Sequence, residues 1–187
     1  MLETIIIGLG IAAIIVIALI YNDLIAKRQM ANNGWSDIDV QLKRRADLIP
    51  QLVTTVQAYA AHEKNLFEDI AAKRNAALAA GDDAAQRGAA ESALSKPVGR
   101  LIALGEAYPD LKANQNFLDL QNELSATEDK IEMARRFFNG AVRELNTAVE
   151  TFPANLIAAL FGFRTRAYFE IDASDAAAPA LHLGGRQ

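Results

Sequence analysis

Two stretches of this chain carry side chains able to bind or react. Residues 35–53 read WSDIDVQLKRRADLIPQLV, with a lone Trp, three Asp, a Lys-Arg-Arg triplet and a Pro. A little further on, His62 is followed by Glu63. If the first stretch is helical, Asp39 and Lys43 stand four apart with the acid first, an order contributing about 0.2–0.5 kcal/mol. Arg44 and Asp47 are three apart and can pair in the same way. Arg45 is different, because it lies seven residues after Ile38 and so falls on the apolar side of the helix. Two readings follow. Its stem packs while its head pairs with an acid on another helix, or it contacts an anionic partner. The first is favoured, because charged residues at helix seams serve pairing and register.

The His62-Glu63 pair does not extend to metal chemistry. No second His stands four residues after His62, so there is no H-E-x-x-H. A di-iron bundle needs Glu three residues before His, and position 59 is Tyr. The other His, His182, lies in a Pro/Gly-punctuated end. There is no Cys in the chain, which removes thiolate nucleophiles and Cys-ligated zinc. Neither a phosphate-cradling G-x-x-x-x-G-K nor a nucleophile-elbow G-x-S-x-G occurs. No catalytic residue, metal or cofactor is therefore expected, and the chain reads as non-enzymatic.

The elements that position these residues are helices. Apolar residues make up 51% of 187, aromatics only 7%, a balance that favours helix over sheet. Net charge is −4, which argues against a dedicated nucleic-acid binder. Residues 4–21, TIIIGLGIAAIIVIALIY, carry no charge. As a helix they span about 27 Å, close to the hydrocarbon thickness of a bilayer. A cleaved signal peptide would have Lys or Arg ahead of the run and a small-x-small site after it. Here Glu3 precedes the run and Tyr-Asn-Asp follows it. A single-pass transmembrane anchor is expected over residues 1–21. Gly8 and Ala12 form a small-xxx-small pair that would let two anchors approach.

Tyr21 takes the interfacial aromatic position, and Lys27 and Arg28 follow as the expected lipid-facing charges. The first 45 residues hold five Lys and Arg against four Asp and Glu; the remainder holds fourteen against nineteen. The positive-inside rule places the amino terminus outside and the following domain in the cytoplasm. The Lys43–Arg45 triplet is not expected to touch lipid. It begins about 33 Å beyond Tyr21 along an unbroken helix, several Debye lengths away.

Behind a juxtamembrane helical connection over residues 22–33, residues 34–172 are expected to form an all-α domain. From Phe117 the apolar side runs Phe117, Leu120, Leu124, Thr127, Ile131, Ala134, Phe138, Ala141, Leu145, Ala148, Phe152, in alternating steps of three and four. That is a heptad seam, with Asn114 as N-cap and Pro153 as its stop. Ile38, Leu42, Ile49, Leu52, Val56 and Tyr59 give a similar face, expected to continue through Phe67 and Ile70 to Leu78 and to break at Gly81-Asp82-Asp83. Pro50 is expected to kink this helix near residues 46–49. A third helical region covers residues 84–107, interrupted at Pro97, with Ser95 capping a new start. Tyr108-Pro109-Asp110 reads as a turn. A short helix follows Pro153 and ends at Gly162. The predicted architecture is an up-and-down antiparallel bundle of three long helices and a shorter fourth, preceded by the anchor. Residues 173–187 are expected to be a disordered tail.

Within this frame Trp35 is a core anchor where the bundle begins, or an interface residue. Asn139 and Asn146, seven apart, lie on one face beside the seam, where they fix register, join protomers or meet water. Phe161 and Phe163, with Leu156, Tyr168 and Phe169, offer apolar surface for a subunit contact.

Several stretches in this order resemble the LemA family of bacterial membrane proteins: YNDLIAKR, WSDIDVQLKRRADLIPQLV, YAAHE, YPDLKANQNFLDLQNEL, ARRFFNGAVRELN and FPANLIAALFGF. The resemblance runs from Tyr21 to about Asp172. It implies an amino-terminal anchor and a four-helix up-and-down bundle, and it brings no accepted enzymatic activity. The family pattern pairs an aromatic residue with Asn at two places. Phe138-Asn139 keeps that pairing with Phe for Tyr, whereas Leu145-Asn146 lacks the ring, so a role resting on the second aromatic does not carry over. Some relatives are similar to proteins that organise intracellular membranes. The expected function is scaffolding or self-assembly at the bacterial inner membrane, with lipid and a second copy of the chain as partners. The alternative is a sensor or adaptor that docks another membrane or cytoplasmic protein.

Overall fold

A computed structural model describes residues 1–171 of the chain. Among these residues the regular structure is helical: α1 (Leu2–Gln57), α2 (Lys64–Ala79), α3 (Ala84–Ala107), α4 (Pro109–Lys112), α5 (Gln115–Glu150) and α6 (Ala154–Leu160). The expected tail over residues 173–187, and His182 with it, lies outside the described residues. The chain divides into two compact units: Met1–Leu48 with Leu120–Phe169, and Ile49–Asp119 with the segment from Glu170.

In the first unit α1 and α5 run antiparallel. Gly34 and Trp35 lie against Phe138, Arg45 against Glu128 and Arg44 against Glu123, so numbers rise along one helix as they fall along the other. Each helix buries the stripe that its spacing dictates. On α1, Leu24, Ala31, Trp35, Ile38, Leu42 and Arg45 are buried; on α5, Leu124, Thr127, Ile131, Phe138, Ala141 and Leu145 are buried. Gly34 permits the close crossing. A Cβ there would stand 3.0 Å from the Phe138 Cα, a backbone atom that cannot move aside cheaply.

The seam ends earlier than its pattern. Phe152 is 75% exposed, because α5 stops at Glu150 and the residues beyond no longer follow its period. Ahead of the seam, residues 2–19 of α1 are exposed on every side. The helix is long and apolar enough to cross a membrane, with no part of its most apolar window buried in the protein. A helix apolar all round and uncovered in this way requires an apolar surrounding.

The second unit corrects three expectations. The helix foreseen from Ile38 to Leu78 is broken at residues 58–63. No Gly or Pro marks the break. Tertiary contacts hold it: Ala60 is fully buried, and the Tyr59 hydroxyl accepts from Asn114 Nδ2 at 3.0 Å. Asn114 also caps α5, its Oδ1 accepting from the Phe117 N–H at 3.0 Å. Next, α3 runs through Pro97 without a new start at Ser95. The Ser95 hydroxyl donates back to the Glu91 carbonyl at 3.0 Å instead of capping, and the proline ring is buried, so packing offsets the lost backbone bond. Lastly, Tyr108-Pro109-Asp110 opens a short helix, α4, rather than a plain turn. The break after α2 follows expectation, with Gly81 at φ 66° and the Asp83 side chain accepting from the Gln86 N–H. Pro50 sits inside an unbroken α1. Gly88 of α3 lies against the Glu170 backbone, so closely that a Cβ would collide with the carbonyl.

The buried cation on the first unit's seam gives a measurable consequence. Arg45 is 1% exposed, and its Nε lies 2.8 Å from Glu128 Oε1. The neighbouring Arg44–Glu123 pair is open to solvent on both sides. Glu128→Ala removes one partner of a buried charge, and since Glu128 itself reaches water the expected loss lies at or below the lower end of about 3–5 kcal/mol. Glu123→Ala is expected to cost about 0.2–1 kcal/mol. Denaturant unfolding of the detergent-solubilised chain ranks the two.

Candidate functional site

The residues singled out for their chemistry converge on the packing of the first unit. Trp35 is buried between two rings, its centroid 5.4 Å from that of Phe138 and 5.7 Å from that of Phe169. Phe169 comes from the segment after α6, which has no regular secondary structure and runs back along α5. Arg44 pairs with Glu123 and Arg45 with Glu128, so both cations of the triplet described here join α1 to α5. Asp47 is exposed and is engaged in an interaction of its own.

Asn139 and Asn146 do something the sequence reading did not anticipate. Each carboxamide grips the backbone of a single residue on the returning segment from both sides. Asn139 Nδ2 donates to the Phe169 carbonyl at 3.0 Å, and its Oδ1 accepts from the Phe169 N–H at 2.9 Å. Asn146 repeats this with Arg166, at 2.9 Å and 2.8 Å. An amide side chain offers one donor edge and one acceptor edge. It therefore satisfies a backbone N–H and C=O as a neighbouring β-strand would, with no strand present. The spacing fits: seven helical residues rise about 10.5 Å, and three extended residues, Arg166 to Phe169, reach about 10 Å.

Arg166 completes the arrangement. Its Nη1 donates to Asn32 Oδ1 of α1 at 2.8 Å. Its guanidinium lies 5.2 Å from the Phe138 ring centroid and 6.0 Å from that of Trp35, within cation–π range. One residue thus links the returning segment to α5 through its backbone and to α1 through its side chain. No spacing rule singles out Arg166, since its partners lie 20 and 134 positions away.

Closer to the anchor, a second cluster forms. Leu24, Ala158 and Phe163 are buried together, with Ile20, Tyr21, Ile25, Ala148, Val149 and Ile157 packed around them. Tyr21 meets Phe161 at 4.8 Å and Phe163 at 5.8 Å. Phe163 is therefore enclosed by its own chain and does not lie open for a subunit contact; Phe169 is likewise fully buried. Phe161 remains 50% exposed. Of the two cations after the anchor, Arg28 lies over the Phe163 ring at 4.9 Å and Lys27 pairs with Asp23 one turn earlier at 2.8 Å.

Among the described residues no group of three or more His, Cys, Asp or Glu is placed to hold a metal ion. The second unit carries a buried charged pair that the sequence reading passed over, Arg87 and Glu91. Both are buried, with Nε 3.3 Å from Oε1. Their four-residue spacing gives the signal, but in the order that helices favour less.

The asparagine grip predicts a local and a global effect. Asn146→Ala leaves the Arg166 N–H and C=O without these partners, at a cost of about 1–3 kcal/mol. Amide exchange should quicken at Arg166 in this variant and at Phe169 in Asn139→Ala. Asn146→Asp, which keeps an acceptor and removes the donor, should lose nearly as much.

A sequence model of the LemA family matches residues 34–182. Magnetosome protein MamQ of Magnetospirillum gryphiswaldense is 25% identical over 184 residues, covering 85% of this chain and 68% of that protein. Magnetosome protein MamQ 2 of Paramagnetospirillum magneticum is 24% identical over 185 residues, with 86% and 68% covered. Protein LemA of Metamycoplasma hominis is 26% identical over 137 residues, with 73% of this chain and 63% of that protein covered. With a family model spanning most of its length and an apolar helix ahead of the matched region, this chain is a membrane-associated helical protein and belongs to the LemA family.

Proposed function

We propose that the protein is a membrane-anchored scaffold that acts by contact rather than by catalysis, assembling with copies of itself at the bacterial inner membrane. One observation carries this reading. The side chains with the most chemical potential are engaged in architecture: Arg44 and Arg45 pair across the seam, and Asn139 and Asn146 hold the chain's own backbone. The helices are arranged as an up-and-down antiparallel bundle. The opposed course of α1 and α5 and the short turn between α2 and α3 support that arrangement. The amino terminus faces outward and the helical domain the cytoplasm, in keeping with Lys27 and Arg28 on the far side of the anchor.

Self-association needs apolar surface that the chain does not cover itself. On α5, Met133 and Phe137 share one face four residues apart and are 57% and 49% exposed. Their exposure also favours a second reading, an adaptor, because methionine-bearing surfaces fit partners of varied shape. Native mass measurement in mild detergent separates the two. The scaffold predicts homogeneous multiples of the 20.3 kDa chain, reduced towards monomer by Met133→Glu. Monomers alone, or one stoichiometric foreign partner, speak for the adaptor.

A further inference from the structure

The chain leaves its anchor along α1, turns back along α5 and arrives at α6 beside the anchor's last turn. There it presents a second apolar surface. Phe152 is 75% exposed, Leu156 60%, Leu160 74% and Phe161 50%. Leu156 and Leu160 stand one turn apart on α6, on the side opposite the buried Ala158. In water such a patch is costly. Its position says what covers it. The Phe161 ring packs on Tyr21 at 4.8 Å, and Tyr21 ends the uncharged run read as the membrane anchor. The patch is therefore continuous with the apolar surface of that run. Its charge agrees: residues 151–169 contain Arg164 and Arg166 and no Asp or Glu. An exposed apolar face followed by Arg164, with Glu150 ahead of it, fits an element lying in a bilayer interface.

We propose that α6 and its flanking residues form a second membrane contact, with Phe152, Leu156, Leu160 and Phe161 entering the acyl boundary of the leaflet that meets Tyr21 and Arg164 facing its headgroups. The inference rests on the reading of residues 4–21 as a transmembrane anchor. It adds that the protein touches the bilayer twice, so the returning segment starts from a fixed depth. With a single stalk, the helical domain would be free to tilt and swivel. With α6 seated, one face of the first unit is held at the surface.

The absence of native cysteine makes the test direct. Single variants Leu156→Cys, Leu160→Cys, Ile11→Cys and Val40→Cys of the full chain are labelled with an environment-sensitive fluorophore. They are reconstituted in nanodiscs of phosphatidylcholine and phosphatidylglycerol with nitroxides at shallow or deep acyl positions. All four positions are more than half exposed, so labelling leaves the core intact. Labels at 156 and 160 are expected to shift to the blue and lose most of their emission to the shallow nitroxide. The label at 11 should respond to the deep one, and that at 40 to neither. Labels at 156 and 160 that ignore both nitroxides while the label at 11 is quenched overturn the second contact and leave the anchor standing. Blue-shifted labels at 156 and 160, quenched only by a nitroxide on another copy of the chain, overturn it in favour of a subunit interface. A label at 11 that escapes the deep nitroxide removes the anchor and this inference together.

Discussion

The seam between α1 and α5 is the constraint on which the first unit depends. It fixes two things at once, because α1 carries the uncovered apolar run of residues 4–21 and α5 carries Asn139 and Asn146. The tightest point is Gly34, where the absence of a Cβ lets α5 approach the α1 backbone. Directly beside it Trp35 meets Phe138. Burying rings and branched side chains contributes about 1.5–3 kcal/mol each, and the stripe on each helix supplies several. Arg45 occupies one position of that stripe. A hydrophobic residue there would pack as well, so the buried cation adds little stability beyond its pairing. What it does add is selection: the observed register brings Glu128 opposite the charge.

With the seam in place, the return of the chain along α5 becomes a matter of commensurate lengths. An α-helix advances about 10.5 Å in seven residues, while an extended chain covers that distance in three. Two asparagines one heptad apart can therefore hold every third residue of an extended segment. Because each grips a backbone N–H and C=O together, Arg166 and Phe169 meet their hydrogen-bond requirement without joining a sheet. Side chains between the grips stay free to act. Tyr168 remains partly exposed, whereas Phe169 closes the pocket over Trp35. The aromatic residue lost before Asn146, where Leu145 stands, leaves the grip intact, because the amide and not the ring holds the backbone.

What could be read from the sequence is what repeats. The heptad on α5 was legible from Leu124 to Leu145 because burial there follows residue type, and Asn114 announced its own cap. The uncharged run over residues 4–21 was legible as a long apolar helix, and the structure leaves it uncovered. The break at residues 58–63 was hidden, because nothing local breaks the helix and the Tyr59–Asn114 bond spans 55 positions. Pro97 misled in the other direction, since a proline signal outweighed a buried face that runs on through it. The asparagine grip was half legible. Spacing placed Asn139 and Asn146 on one face, but their partners are backbone atoms, which carry no residue-type signal. Arg166 was invisible for the same reason.

The order of the elements along the chain then has a physical logic. An antiparallel partner that returns along α1 must end near the level where the packed part of α1 began. Whatever follows Glu150 emerges beside Tyr21, as the packing of Ala148, Val149 and Ile157 around Leu24 records. A polar loop would suffice to turn the chain there. Instead the sequence places Phe152, Leu156, Leu160 and Phe161 at the turn and then reverses direction at Gly162, whose φ of 71° is open to glycine at little cost. Phe163 drops back into the cluster, and Arg28 lies across its ring. Arg28 stands four residues after Leu24 and three before Ala31, a seam position where an aliphatic side chain would serve if the site were dry. A guanidinium there keeps its charge in water while its plane covers the aromatic ring. The seam thus changes character as it nears the anchor, from closed packing at Trp35 to a cation-capped ring at Arg28.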